Sequence, residues 1–186
     1  MALNGLLDIE LSVPNPGELG EFWEANGLIR TTDGVYGTAD RPVQLRVAEG
    51  DHRHLSSLHL SCESERDLSH IAERLTGLGI DSTVRGSTLS CVDPVLGHSV
   101  VIDVGGPERL SPHPTRTTNR PGVNQRLGTR TEAPDTFTAP PRRLGHIVLG
   151  SPQIQETNAF YIDGLGYRIS DQVREGMATF ADRKST

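Results

Sequence analysis

Along residues 6–104 the apolar positions switch twice from a period of two to a period near 3.6, and the switches mark out two similar units. Residues 6–13 (LLDIELSV) alternate enough, and are apolar enough, for a strand. Asn15 and Pro16 then supply a cap and a first-turn proline, and Leu19, Phe22 and Trp23 fall on one helical face. Val35–Ala39 and Val43–Val47 read as short strands separated by polar turns. The second unit keeps the same order, with a strand predicted over Leu55–Cys62. Ser64 and Asp67 resemble a capping box with aspartate in the usual Glu/Gln place. Leu68, Ile71, Ala72 and Leu75 then recur at helical spacing, and the helix should stop at Gly77 or Gly79. Strands are predicted over Ser82–Val84, Thr88–Val92 and His98–Val104, the last two joined by a turn running from Asp93-Pro94 to Gly97.

Each unit therefore reads as a strand, a helix and three strands, which predicts an α+β fold of repeated βαβββ modules. Residues 106–142 break the pattern, being rich in Pro, Arg and Thr, and read as a surface connector with solvated arginines. A third unit opens at Leu144: strand 144–150, helix 152–163, strand 167–173 and strand 177–182, with its last strand missing before a polar tail. Sliding the chain by 138 positions (144 minus 6) pairs Leu6 with Leu144, Ile9 with Ile147, Leu11 with Leu149, Pro14 with Pro152 and Phe22 with Phe160, without a gap. At the third residue of this repeat Asp8 faces His146. The expected organisation is an N-terminal domain of two modules over 1–105, the connector 106–142, and the incomplete opening of a further domain over 143–186.

Composition narrows the function classes. At 186 residues, with a hydrophobic share of 34%, the chain can make one sizeable domain or two small ones. A formal net charge of −6 offers no basic field for phosphates, which argues against nucleic acid. The opening residues lack a basic leader with a long apolar core, and no apolar run is long enough to cross a bilayer, so neither export nor membrane insertion is expected. Cys62 and Cys91 are too few and too dispersed for a disulfide scaffold, and reduced thiols in the cytoplasm are the simpler expectation.

The segment Arg143–Pro152 (RLGHIVLGSP), followed by Ala159–Asp171 (AFYIDGLGYRISD), resembles the vicinal oxygen chelate superfamily of glyoxalases, bleomycin-resistance proteins and extradiol dioxygenases. Within it, the type I two-domain extradiol dioxygenases of the dihydroxybiphenyl dioxygenase kind are the most similar. The resemblance implies Fe(II) held by two histidines and a carboxylate, acting on a catechol-like aromatic diol with O2. Three protein ligands on one face of iron leave positions for two substrate oxygens and dioxygen. His146 matches the first ligand, and the other two belong to a fourth unit outside this sequence. The resemblance therefore implies an enzyme lineage represented by a chain that is silent alone, with no catalytic residue assigned and Fe(II) not expected to be held.

On its predicted strand, His146 shares a face with Val148 and Gly150, a small open surface suited to a ligand pocket, with Val148 as a substrate contact. The plainer alternative is a histidine satisfied by a backbone partner. Asp8, His59 and Asp103 fall roughly where a complete two-unit metal site needs residues; they are otherwise polar residues of a solvated barrel mouth. His52 and His54 lie in a charged loop, and His70, His98 and His113 have no partner at ligand spacing. A competing function class is a non-catalytic small-molecule binding protein of the bleomycin-resistance type, using the cleft of the first pair. Half a barrel cannot cover its own sheet face, so exposed apolar surface over 144–182 and a homo-oligomer are expected.

Overall fold

In the computed structural model, which describes residues 3–105, 141–173 and 178–182, the first two units are near copies of one another. The first is β1 (Leu3–Val13), α1 (Pro16–Ala25), β2 (Ile29–Thr32), β3 (Val35–Gly37) and β4 (Leu45–Glu49). The second is β5 (His54–Cys62), α2 (Glu65–Gly77), β6 (Ser82–Arg85), β7 (Thr88–Val92) and β8 (Ser99–Val104). Both helices start where the capping chemistry predicts. The Asn15 side chain accepts from the Glu18 backbone N–H at 3.2 Å, and Ser64 Oγ accepts from that of Asp67 at 3.3 Å. Each such cap stabilises by about 1 kcal/mol. The sequence reading did not name β2, because all four of its residues are exposed and no alternation marks it.

The first strands of the two units pair with each other antiparallel, β1 with β5. Each also pairs in parallel with the last strand of its own unit, β4 or β8. The units thus join edge to edge into one eight-stranded sheet in the order β2-β3-β4-β1-β5-β8-β7-β6. The shift that carries the cap Asn15 onto the cap Ser64 also carries Ile9 onto Leu58, and Ile9 and Leu58 are cross-strand partners. An approximate twofold axis therefore passes through that pair. Leu58, Leu60, Leu89, Val100 and Ile102 are buried with α2, while Val13, Leu19, Tyr36, Leu45 and Val47 form a smaller core around α1. The opposite face of the sheet is polar, as period-two alternation requires.

The third unit departs from expectation at its first element. Residues 144–150 form no strand. A strand exists only through its ladder, and among the described residues nothing pairs with this stretch. It is anchored at its start instead: Thr38 Oγ1 donates to the Arg142 carbonyl at 2.8 Å, and the Leu144 N–H reaches the Gln44 side-chain oxygen. Arg142, expected to be solvated, pairs with Asp40 at 2.8 Å. The rest of the connector lies outside the described residues.

The predicted helix 152–163 is shorter and changes type, with α3 (Ile154–Asn158) running into a π-helical turn (Ala159–Gly164). That turn sits on α2. Phe160 and Leu165 are fully buried in the larger core, and Arg74 Nε donates to the Gly164 carbonyl at 2.9 Å. A Cβ at Gly164 would lie 3.1 Å from Leu75 and 3.2 Å from Leu78, so glycine permits the close approach. Phe22, the repeat counterpart of Phe160, is instead 54% exposed, although the sequence places it on one helical face with buried Leu19. Two further strands, β9 (Arg168–Val173) and β10 (Ala178–Asp182), pair with each other, and among the described residues with no other strand. Both cysteines are free and buried. Among the described residues no helix is long and apolar enough to cross a membrane.

Candidate functional site

His146 and Val148 lie in the unpaired stretch that opens the third unit. His146 is exposed and Val148 is 85% exposed, while Ile147 between them packs partly against the larger core. The alternation expected of a strand therefore survives, with His146 and Val148 facing outward. Among the described residues, no three His, Cys, Asp or Glu side chains converge as a metal site needs. The described residues do not make an iron site by themselves.

The structure does bring Asp8, His59 and Asp103 together. They stand on adjacent strands β1, β5 and β8, on the polar face of the sheet. His59 Nδ1 lies 3.0 Å from Asp8 Oδ2, and His59 Nε2 lies 2.8 Å from Asp103 Oδ2. The row extends at both ends: Arg46 Nε on β4 donates to Asp8 Oδ1 at 3.1 Å, and Thr88 Oγ1 on β7 donates to Asp103 Oδ1 at 2.5 Å. Five neighbouring strands are thus linked side chain to side chain. The hydrogen bond to Asp8 raises the His59 pKa, against the opposing effect of burial and with help from Asp103. Burial pushes Asp8 up, but His59 and Arg46 together hold it below the usual carboxylate range.

This geometry argues against the secondary metal site. The two ring nitrogens diverge and each already faces a carboxylate, so one ion cannot take His59, Asp8 and Asp103 at once. An imidazolium between two carboxylates satisfies all three groups without a metal. Arg46 and Thr88 were missed as members of the row. The available signal was parity: Arg46 alternates with buried Leu45 and Val47, which puts it on the face that carries Asp8.

A second polar cluster joins the third unit to the second. Tyr161, in the π-helical turn, lies 2.9 Å from His98 Nε2 through its hydroxyl. His98 and Asp93 are both buried, and Asp93 Oδ1 accepts the backbone N–H groups of Val95 and Leu96, each at 2.8 Å. Burial lowers the His98 pKa despite the nearby Asp93 charge, and burial beside Asp93 pushes Cys91 up to about 11. Burial raises Tyr161 as well. His98 therefore serves as a neutral docking partner for Tyr161. Its partner is remote in sequence, which ligand-spacing arguments cannot see.

Comparisons with known proteins agree with this architecture. No family model matches the chain. The chain is 31% identical over 183 residues to metapyrocatechase 2 from Cupriavidus necator, a match covering 92% of this chain and 55% of that protein. It thus spans about half the length of that curated relative. The Mn(II)-bound glyoxalase from Novosphingobium aromaticivorans superposes with a TM-score of 0.65 at 18% identity, over 97% of this chain and 58% of that one. BphC, a halotolerant catechol dioxygenase, gives a TM-score of 0.66 at 18% identity, over 97% and 61%. The chain shares the fold of these glyoxalase and catechol dioxygenase structures and is similar in sequence to a metapyrocatechase over about half of that protein.

Proposed function

We propose that this chain is the N-terminal pair and the opening of the catalytic half of a type I extradiol ring-cleavage dioxygenase, inactive as it stands. The observation that carries the reading is the 31% identity to a metapyrocatechase across nearly the whole chain. The intact enzyme acts on a catechol-like aromatic diol with O2 and uses Fe(II). His146 supplies one of three iron ligands and Val148, beside it on the outward face, contacts the substrate. The role of the docking residues is structural. The Tyr161–His98 contact and the burial of Phe160 and Leu165 seat the third unit on the first pair, leaving His146 facing out.

The test is a chimera. The part of the Cupriavidus necator metapyrocatechase that follows the matched region is joined to residue 186 and loaded anaerobically with Fe(II). Catechol-dependent O2 uptake is expected from the chimera, background uptake from the 186-residue chain, and background uptake again from the chimera carrying His146→Ala. An H146A chimera as active as its parent would remove the ligand assignment, and strong uptake by the short chain would remove the proposed inactivity.

A further inference from the structure

The two units differ most on the helix side of the first one. The shift that carries Asn15 onto Ser64 (64 minus 15) carries Leu11 onto Leu60, Leu19 onto Leu68 and Phe22 onto Ile71. Leu60, Leu68 and Ile71 are buried in a core that also takes Phe160 and Leu165. In the first unit the equivalent residues border an open cleft of about 500 Å³, where Phe22 stands more than half exposed. That volume is the size of a site for one small molecule.

The cleft lies between α1, the end of β1 and the turn that leads from β4 into β5. Its lining is largely apolar, with Leu11 and Leu19 beside Phe22 and Trp23, whose rings meet edge to face at 5.2 Å. Two polar groups in this lining have no partner among the described residues. Trp23 Nε1 is shielded from water and meets no acceptor. Arg53 is exposed and makes no ion pair. The turn that carries Arg53 is held by His54 Nδ1, which donates to the His52 carbonyl at 3.0 Å. The other charged group of the lining, Glu18, is already engaged and accepts from Asn15 Nδ2 at 3.1 Å. An uncompensated guanidinium beside aromatic rings suits a planar carboxylate. Its fork matches both carboxylate oxygens, while the rings pack against an aromatic face.

We propose that this cleft binds a planar aromatic carboxylate of benzoate size, its ring against Phe22 and Trp23 and its carboxylate on Arg53. A shielded N–H without an acceptor is costly, so a small turn of the indole that brings Nε1 to a ligand oxygen is favoured. The ligand makes one charge-assisted contact and buries a single ring, so its dissociation constant is on the order of 1 mM. The site belongs to the first unit and does not use His146. It therefore stands or falls apart from the enzyme lineage, which the chimera tests.

Trp23 is the single tryptophan of the chain, so its fluorescence reports on this cleft. Titrating benzoate into the 186-residue chain at constant ionic strength should change that emission saturably. Acetate, which lacks the ring, should leave it unchanged. Benzyl alcohol, which lacks the carboxylate, should bind at least about fivefold more weakly than benzoate. Arg53→Gln should weaken benzoate about tenfold and leave benzyl alcohol unchanged, whereas Phe22→Ala should weaken both. Both side chains are exposed, so neither variant threatens the fold. An emission change that stays linear up to about 20 mM benzoate overturns the proposal. So does benzyl alcohol binding as tightly as benzoate, or a benzoate affinity indifferent to Arg53→Gln. A concentration-dependent dimer that Phe22→Ala abolishes and benzoate fails to perturb would give the cleft to a second copy, and overturns it as well.

Discussion

Leu6–Val13 and Leu144–Ser151 share their apolar spacing, yet β1 lies at the centre of an eight-stranded sheet while its later copy makes no ladder among the described residues. The difference lies in what stands beside each. β1 has β4 from its own unit on one side and β5 from the next unit on the other. In the third unit β9 and β10 pair with each other. The helices show the reverse. Phe22 on α1 is 54% exposed, whereas its copy Phe160 is fully buried against α2. The third unit has traded sheet pairing for a seat on a neighbouring helix, so one repeat sustains two modes of attachment.

The largest test of this contrast compares the two phenylalanines. Phe160→Ala should cost about 3–5 kcal/mol in urea-induced unfolding, as for a large ring removed from a packed core. Phe22→Ala should cost under about 1 kcal/mol, because its ring already meets water. Hydrogen exchange across residues 141–173 should also accelerate in the Phe160 variant alone. Equal costs at the two positions would break the comparison.

The next test concerns the joint that β1 has and residues 144–150 lack. His59→Gln should cost about 1–3 kcal/mol, since Asp8, 7% exposed, then loses one of its two charged partners and keeps only Arg46. Stability should also vary with pH in a defined sense. The His59 pKa is raised on folding, so its contribution is complete below about 6.5 and is lost as pH climbs through the folded value. The Asp8 pKa is lowered on folding, so its contribution is complete above about 4 and is lost as pH falls through the folded value. The joint is therefore tightest between about pH 4 and 6.5, and urea midpoints should peak there for the parent. A His59→Gln profile that kept the same alkaline decline would remove His59 as its cause.

The smallest effect is expected at Val148. In dilute protein, Val148→Ala should shift stability by no more than about 0.5 kcal/mol, because the residue is 85% exposed. A cost near 2 kcal/mol would mean that the stretch is held in a way the exposed side chain does not show.

Much of this was legible in the residues. Asn15-Pro16 and Ser64 with Asp67 mark the helix starts, and Leu68, Ile71 and Leu75 name the buried face of α2. Period-two alternation puts His59 and Asp103 on the polar face, where they meet Asp8. The extension of that row to Arg46 and Thr88 needs the strand order, because residues 38 and 15 positions apart become neighbours only through pairing. The docking of Tyr161 on His98 is equally invisible, since it depends on where the third unit sits.

Local sequence alone determined the units, their caps, their alternation and the Asp8-to-His146 exchange between repeats, because these depend on backbone propensity and on side-chain direction within a few residues. Tertiary structure decided which first strands find partners, that His59 faces two carboxylates, and that His146 has no companion ligands among the described residues. Those outcomes depend on contacts between distant segments, and the same strand pattern is compatible with a paired fate or an open one until its neighbours are in place.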